Sequence, residues 1–329
     1  MRRWCRERPD RQDEGAGESA RLPTPFHLAI GNRTSLSDPD GKISRYSFDA
    51  INRLTIVHNT TGISNYGYDR SSLLSTVSYP NGAVADYRYD DARRVTQVTN
   101  RLNGAVASRY DYTYDRNGNR LTQQESNGGG IEITAYTYDN NDRLTRADYP
   151  DATLDYGYDA AYNRTSESAV EKASGTTVSS KTFSYNNRNQ VTSISDSANA
   201  ANNTTYAYDA NGNQTLKTQN GFTLNFVYDV RDRLVRVSQD ATTLGQFRYD
   251  HAGMRIQKEG AQGIVRYTYD DGSVLLQTDD TGTTLAKYDY GPDRLLSLEQ
   301  ATEGEQFYHF DALGSVVNLS RPDGSLQAR

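Results

Sequence analysis

Residues 136–144 read Tyr136-Thr137-Tyr138-Asp139-Asn140-Asn141-Asp142-Arg143-Leu144, and this stretch contains the unit that decides the fold. Side chains alternate between the two faces of an extended strand, so aromatic residues at positions i and i+2 lie on one face. Asn and Asp follow, and their short side chains bond to nearby backbone and tolerate a left-handed conformation. The stretch therefore predicts a strand, a tight turn beginning at Asp139, and a returning strand.

The unit recurs along almost the whole chain, which is typical of repeat architectures. Thirteen copies can be counted, with their last positions 20–27 residues apart, and this spacing holds one hairpin per repeat. The copies are Tyr46/Phe48/Asp49, Tyr66/Tyr68/Asp69, Tyr87/Tyr89/Asp90, Tyr112/Tyr114/Asp115, Tyr136/Tyr138/Asp139, Tyr156/Tyr158/Asp159, Phe183/Tyr185/Asn186, Tyr206/Tyr208/Asp209, Phe226/Tyr228/Asp229, Phe247/Tyr249/Asp250, Tyr267/Tyr269/Asp270, Tyr288/Tyr290/Gly291 and Tyr308/Phe310/Asp311. A second set of turn signals, such as Pro80-Asn81-Gly82, falls between copies, so each repeat has two strands and two turns.

The composition favours a folded, all-β chain despite its low content of aliphatic residues. Strongly negative hydropathy ordinarily indicates disorder, but 25 periodic tyrosines can bury their rings in a half-wet sheet while their hydroxyls find polar partners. Thirteen two-stranded repeats at about 4.8 Å per strand would make a sheet ~125 Å wide. Rolled up, that sheet would have a diameter of roughly 40 Å, too wide for side chains to fill. We therefore predict antiparallel hairpins forming a spiralling sheet, a partial hollow shell.

The repeat pattern also predicts the domain organisation. Residues 1–38 lack the periodicity and are predicted to be a disordered or irregular leader, whereas residues 39–329 form one array. Cys5 is the only cysteine, so no disulfide forms within the chain. A net charge of −6 with scattered basic residues argues against nucleic-acid binding. The sequence shows neither a signal peptide nor an apolar run long enough to span a membrane.

The position of the arginine after each turn varies between two values. It lies four residues after Asp139 and Asp229 but five residues after Asp115, Asp159 and Asp250, and the two spacings alternate between Asp115 and Asp250. We expect from this alternation that neighbouring turns take two conformations, so that adjacent hairpins nest without collision.

Several kinds of functional site were weighed against a purely structural role. Regularly spaced Asp residues could bind calcium, but an Asp that caps its own turn explains the position better. Rows of rings could stack on sugars, but cross-strand packing of the wide sheet explains them more simply. No metal-ligand spacing links His27, His58, His251 and His309, and no Gly-x-Ser-x-Gly motif indicates hydrolysis. We predict no enzymatic activity, catalytic residue, metal or cofactor.

Two motifs resemble the RHS-repeat or YD-repeat family, whose relatives include insecticidal toxin-complex components and teneurins. The family motif Tyr-Asp-x-x-Gly-x-Arg-Leu is similar to residues 114–121. Residues 308–315 resemble the RHS core signature, whose start we place within residues 305–329. The residues that we assign to the repeated motif are Tyr112, Tyr114, Asp115, Gly118, Arg120, Tyr136, Tyr138, Asp139, Arg143, Tyr206, Tyr208, Asp209, Tyr228, Asp229 and Arg233. Those that we assign to the signature are Tyr308, His309, Asp311, Gly314 and Ser315.

The resemblance implies a shell that encloses a C-terminal toxin in a polymorphic toxin or contact-dependent competition system, secreted or associated with the cell surface. The implied partners are that toxin and the remaining shell repeats. In the family an Asp-Pro-x-Gly segment follows the core, and the sequence ends at Arg329 before one occurs, so we expect a fragment of a larger shell. The alternative is a surface adhesion or glycan-binding module built on the same sheet.

Overall fold

A computed structural model describes residues 24–27, 32–292 and 294–328, and these form one 29-stranded sheet. A single 3-10 turn, Ala200–Asn202, interrupts the strands in these ranges. The strands, numbered β1 to β29 in chain order, are Thr24–His27, Arg33–Ser37, Ile43–Phe48, Leu54–Asn59, Gly62–Tyr68, Leu74–Ser78, Val84–Tyr89, Val95–Leu102, Ala105–Tyr114, Arg120–Asn127, Gly130–Tyr138, Leu144–Asp148, Ala152–Tyr158, Arg164–Glu171, Thr177–Tyr185, Val191–Asp196, Thr204–Tyr208, Gln214–Gln219, Phe222–Tyr228, Leu234–Gln239, Thr242–Tyr249, Arg255–Gly260, Gly263–Asp270, Ser273–Thr278, Thr284–Tyr290, Leu295–Gln300, Gly304–Phe310, Val316–Ser320 and Leu326–Ala328.

Each strand pairs antiparallel with the next strand in the sequence, which confirms the predicted all-β hairpin array. The sheet begins earlier than the predicted boundary at residue 39, because β2 pairs with β3 and its Leu36 is buried. This segment was assigned to the leader because it lacks the paired aromatics of the motif. Residues 1–23 lie outside the described residues, and the leader prediction is untested there.

From Asp115 to Asp250, where the two arginine spacings alternate, the turn after each motif has one conformation and not the two that the spacing suggested. In both classes the backbone N–H of the Asp donates to the carbonyl four residues later, at 2.9 Å for Asp115 and for Asp139. The residue three positions after the Asp has a positive φ in both, 96° at Gly118 and 60° at Asp142. The register shifts at the second aromatic, where one extra residue on the returning strand makes a β-bulge. The prediction of two backbone conformations was therefore wrong, since only the arginine position differs.

The two faces of the sheet differ in composition, as the motif predicts. The motif face carries both aromatic residues of each repeat and the residues paired with them across the strands. Many of these partners are aliphatic, as in Tyr66↔Val77, Phe183↔Ile194 and Phe226↔Val237. In the middle strands of the sheet, the opposite face is rich in Ser, Thr and charged residues, for example in the pairs Ser166↔Thr182 and Arg146↔Asp155.

The second tyrosine of most motifs makes the same hydrogen bond. Its hydroxyl donates to the backbone carbonyl of the residue that opens the returning strand of the preceding repeat, as Tyr114 does to Val95 at 2.7 Å and Tyr138 to Arg120 at 2.9 Å. The others are Tyr68, Tyr89, Tyr158, Tyr185, Tyr208, Tyr228, Tyr249, Tyr269 and Tyr290. The acceptor carbonyl lies beside the bulge, so the tyrosine satisfies a backbone group and ties each repeat to the last.

The role of this repeated tyrosine hydrogen bond can be tested by removing the hydroxyl. We expect Tyr138→Phe to lower the free energy of unfolding by about 0.5–1.5 kcal/mol, because it leaves a half-buried carbonyl without its donor while retaining the ring. Chemical denaturation measures the change. The control is Tyr162→Phe, in which the hydroxyl belongs to an exposed turn residue and a change below about 0.5 kcal/mol is expected. Equal effects in the two variants would contradict a structural role for the tyrosine hydrogen bond.

Strands distant in sequence meet at one place, here called the seam, between residues 33–112 and residues 270–324. On the first side the motif face contributes Tyr79, and on the second the opposite face contributes Phe307 and His309. The ring of Tyr79 lies 6.0 Å from Phe307 and 4.8 Å from His309, centroid to centroid. A barrel would close by pairing its end strands edge to edge. Contact between unlike faces instead results when a sheet curves back over itself, so the chain forms a spiral.

Candidate functional site: the turn rim and the seam

The motif turns line up along one edge of the sheet, called here the turn rim, and most of them are held by their own Asp. One carboxylate oxygen of Asp139 accepts from the backbone N–H of Asn141 and Arg143, at 2.9 and 3.0 Å. The other accepts from Nε of Arg143 at 2.7 Å. Asp229 makes the same contacts with Arg231 and Arg233. These bonds account for the recurrence of Asp without any bound ion.

The arginines of the two spacing classes occupy different places on the motif face. An arginine four residues after the Asp pairs with that Asp and stacks on the second aromatic of the next repeat, as Arg143 does at 4.9 Å from Tyr158. An arginine five residues after it lies between the first aromatics of two repeats. Arg120, for example, is 5.6 Å from the ring centroid of Tyr112 and 4.8 Å from that of Tyr136. The spacing thus selects which rings the guanidinium covers.

Where asparagine replaces the arginine, it joins one turn to the next. Asn117 and Asn119 both donate to the side-chain oxygen of Asp142 in the neighbouring turn, at 2.9 and 2.6 Å. Asn211 and Asn213 bind Asp232 in the same way. This explains the Asn-Gly-Asn form of these turns.

Side-chain hydrogen bonds of this kind join every pair of consecutive turns from Asp69 to Asp250. We call this series the turn zipper. Its donor and acceptor residues, in order, are Arg93 to Ser71, Arg94 to Asp115, Asn117 to Asp142, Arg143 to Asp159, Asn163 to Asn189, Arg188 to Ala210, Asn211 to Asp232 and Arg233 to Asp250. Of the predicted motif residues, Asp115, Arg143, Asp209 and Arg233 belong to the capped and zippered turns, while the tyrosines cover the adjoining face.

The turn carboxylates should make stability depend on acid. Hydrogen bonds from Arg233, chiefly from its side chain, lower the pKa of Asp229 to about 2, and the pKa of Asp139 is also lowered, mainly by the Arg143 backbone N–H. A lowered pKa in the folded state adds stability that is present above the unfolded value and is lost as pH falls through the folded value.

We therefore expect the melting temperature to fall between about pH 4 and about pH 2 as these carboxylates protonate. Thermal unfolding followed by circular dichroism over this range measures the fall. Asp229→Asn should reduce the slope in the same pH interval. An unchanged slope in this variant would mean that other groups govern acid unfolding.

The predicted signature residues 308–315 lie at the seam. The carbonyl of Tyr308 accepts from the hydroxyl of Tyr79 at 2.9 Å, and the N–H of Ala312 donates to the hydroxyl of Tyr112 at 3.2 Å. Asp311 caps its turn by accepting from the N–H groups of Leu313 and Ser315, both at 2.8 Å. Tyr112, a predicted motif residue, thus binds the signature segment directly.

His309 is fully buried in the seam. Its Nε2 lies 2.8 Å from the hydroxyl of Ser320, and burial lowers the pKa of the imidazole to about 4, so the ring is neutral at physiological pH. Nearby, the hydroxyl of Ser108 donates to Asn318 at 2.5 Å, and the amide of Asn100 donates to Ser108 at 3.1 Å.

A second buried cluster at the seam is charged. The ammonium of Lys287 lies 3.1 Å from a carboxylate oxygen of Asp38, and both side chains are less than 5% exposed, at 4% and 3%. Asp289 is also buried and accepts from Ser44 at 3.4 Å. Glu305 lies close by, and burial raises the pKa of both Asp289 and Glu305.

Sequence reasoning missed this cluster and Tyr79, because none of these residues belongs to the motif. Their partners lie more than 200 residues away, as in the Tyr79–Tyr308 bond with a separation of 229. The only local signal is a charge at Lys287 and Asp289 on strand positions that alternate with the motif aromatics.

The described part of the chain contains no group of three or more His, Cys, Asp or Glu side chains placed to hold a metal ion. Within the same ranges, no helix is long and apolar enough to cross a membrane.

Family models match most of the repeat array. Residues 158–310 match the teneurin YD-shell, and residues 68–105 and 114–154 match the RHS repeat. The chain belongs to the RHS/YD-repeat family. This confirms the family resemblance, and the assignment of residues 308–315 to the core signature stays a prediction.

Similar proteins of known sequence are named as toxins or nucleases. The chain is 28% identical over 302 residues to the tRNA3(Ser)-specific nuclease WapA of Bacillus spizizenii, a match that covers 87% of this chain and 12% of that protein. It is 24% identical over 281 residues to the double-stranded DNA deaminase toxin A of Burkholderia cenocepacia, covering 76% of this chain and 19% of that protein. The chain thus spans a small part of the length of these relatives.

Two solved structures share the fold. One is a crystal structure of TcdB2-TccC3-Cdc42, with a TM-score of 0.74 and 18% identity over 92% of this chain and 17% of that chain. The other is a Photorhabdus luminescens Tc holotoxin pore with the mutation TccC3-D651A, with a TM-score of 0.73 and 17% identity over the same shares of the two chains, 92% and 17%. At this identity the likeness establishes the spiralling sheet.

Proposed function

We propose that this RHS/YD-repeat chain is part of the wall of a shell that encloses a toxin polypeptide, in a polymorphic toxin or contact-dependent competition system. The observation that carries the proposal is the seam, where the sheet coils over itself and makes a wall. A wall of this kind denies the enclosed chain access to the solvent around it. We infer that the wall acts structurally, with any enzymatic activity in other segments of the longer protein.

The relatives support this division of roles. The matched relatives are named for nuclease and deaminase activities, while this chain corresponds to only 12–19% of their lengths. In this chain the repeated Asp, Asn and Arg side chains form hydrogen bonds within and between the turns, and the Arg side chains also contact the aromatic rings. We propose that the partners are a toxin segment and further shell repeats, and that the complete protein acts outside the producing cell, secreted or at its surface.

The alternative, a glycan-binding module, has less support in the geometry. Sugar stacking needs open ring faces, and the motif rings are instead covered by guanidinium groups, as Tyr136 is by Arg120 at 4.8 Å. Both Tyr136 and Tyr138 are half-buried. Glycan-array binding that is lost in Tyr136→Ala and Tyr138→Ala would nevertheless favour adhesion over enclosure.

Limited proteolysis of the natural gene product that contains this chain tests the proposal. We expect mass spectrometry to show a segment outside the wall that resists protease while the wall is intact and is cut in Phe307→Ala, which weakens the seam. Leu313→Ala, at an exposed position near the same strand, is the matched control and should leave the segment protected. Equal cutting in all three proteins, or nuclease or deaminase activity in this chain alone, would contradict the proposal.

A further inference from the structure

The seam differs from the rest of the sheet in the kind of bond that holds it. Within the described residues, backbone ladders join only strands that are consecutive in sequence. The hydrogen bonds that cross the seam between these residues each involve at least one side chain, such as Tyr79 to Tyr308, Asn81 to Arg321 and Asn103 to Gly324. Parting the two sides of the seam therefore breaks no β-ladder.

The strands between the two sides of the seam are tied together more firmly. From Asp69 to Asp250, the turn zipper adds side-chain bonds to the backbone ladder at every step along the turn rim. If the spiral uncoiled by separation of neighbouring strands, both the backbone hydrogen bonds and the side-chain bonds of the turn zipper would break. The seam is consequently the place where the spiral opens at the lowest cost in hydrogen bonds.

The charged cluster gives the seam an excess of buried acid. Asp38 lies on the first side of the seam, while Lys287, Asp289 and Glu305 lie on the second. One ammonium thus lies near two buried carboxyl groups, those of Asp38 and Asp289, and the half-buried Glu305 lies near Asp289. The other polar or titratable groups packed around them are Ser44, Tyr46, Asn59, Thr61, Ser297 and Glu299, and Glu299 is paired with Lys42.

We propose that the wall opens by parting at the seam while the sheet remains intact, and that the buried carboxyl groups around Lys287 make this opening sensitive to pH. The inference concerns the wall itself and holds whether or not a toxin is enclosed.

The direction of the pH effect follows from the two raised pKa values. Asp289 and Glu305 bind a proton more tightly in the closed seam, because burial raises their pKa, than in an open one. Closure is therefore favoured as pH falls and is lost as pH rises through the raised pKa values. Above that interval the seam holds uncompensated negative charge.

His309 acts in the opposite direction at lower pH. Its pKa falls from 6.5 to about 4 on burial, so the open seam binds a proton that the closed seam excludes. Closure weakens as pH falls through this interval. The seam should accordingly be tightest between the titration of the buried carboxyl groups and that of His309.

Distance measurements between spin labels test the proposal. In a Cys5→Ser background, labels at Arg116→Cys and Leu313→Cys span the seam beside the Tyr112–Ala312 bond, and both positions are exposed. Labels at the exposed positions Asn140→Cys and Ala160→Cys join neighbouring turns of the zipper as a control. Between about pH 3 and about pH 9, we expect the seam distance to be shortest at intermediate pH and to lengthen toward both ends of the range, while the control distance stays constant.

Variants separate the two titrating groups. Asp289→Asn should keep the seam distance short at alkaline pH. Glu305→Gln should have the same effect to a smaller degree, and it provides the test if Asp289→Asn fails to fold. His309→Gln should remove only the lengthening at acid pH. A seam distance independent of pH in the unsubstituted chain, or lengthening of both distances together, would overturn the proposal.

Discussion

Phe307→Ala should unfold the chain at a much lower denaturant concentration, with a loss of about 3–5 kcal/mol in the free energy of unfolding. The side chain is 1% exposed and packs edge-on against Tyr79 in the core cluster that joins the two sides of the seam. Its removal deletes a large apolar side chain and leaves a cavity between two layers held apart by their backbones. Chemical denaturation followed by tyrosine fluorescence measures the loss.

The control for this variant is Leu313→Ala, which removes an apolar side chain that is 68% exposed in the turn after the same strand. A change within about 0.5 kcal/mol is expected there. A similar, small loss in both variants would mean that the seam contributes little to stability and that the spiral is held by its ladder alone.

The repeated part of the fold was predictable because its determinants are local. Tyr136, Tyr138 and Asp139 place two rings on one face and begin a turn within a few residues, and the structure retains this arrangement in successive copies. The width of a sheet with so many strands then excluded a compact sandwich. Local pattern and simple geometry together were enough for the all-β spiral.

The alternation of the arginines shows where local reasoning failed. Counting from Asp to Arg suggested turns of two shapes, whereas the two turns have the same backbone. Arg143 occupies the fourth position after the Asp of its turn, and Arg120 occupies the fifth position after the Asp of its own. A change of one position moves the guanidinium along the motif face, from the second aromatic of the next repeat to a place between the first aromatics of two repeats. The spacing therefore encodes which aromatic rings each guanidinium covers, a consequence that becomes visible only with the neighbouring repeat in place.

The seam could not be predicted because its partners are remote in sequence and follow no repeat. Tyr79, in the turn after β6, and Lys287, in β25, stand at positions where the motif places no requirement, and nothing near them in the chain specifies their partners. The signature at residues 308–315 was recognised by resemblance alone. The structure supplies its physical role, since Tyr308, His309 and Ala312 all contact the first strands of the spiral.

Lys287→Met should also destabilise the chain strongly, by about 3–5 kcal/mol, because it removes the cation from between buried carboxyl groups. Asp38 loses a partner at 3.1 Å, and Asp289 keeps mainly neutral ones. The loss should be smaller at mildly acid pH, since burial raises the pKa of Asp289 and its protonation removes part of the unpaired charge. Denaturation curves at neutral and mildly acid pH measure both effects.

Lys42→Met is the matched control, because Lys42 pairs with Glu299 across the same seam while both side chains remain about two-fifths exposed, at 38% and 41%. Its loss should be about 0–1 kcal/mol. Adding Asp38→Asn to Lys287→Met should restore stability in part, because it removes one of the charges left without a partner. If Lys287→Met costs no more than Lys42→Met, the buried ion pair does not hold the seam. The spiral would then owe its closure to the apolar contacts around Phe307.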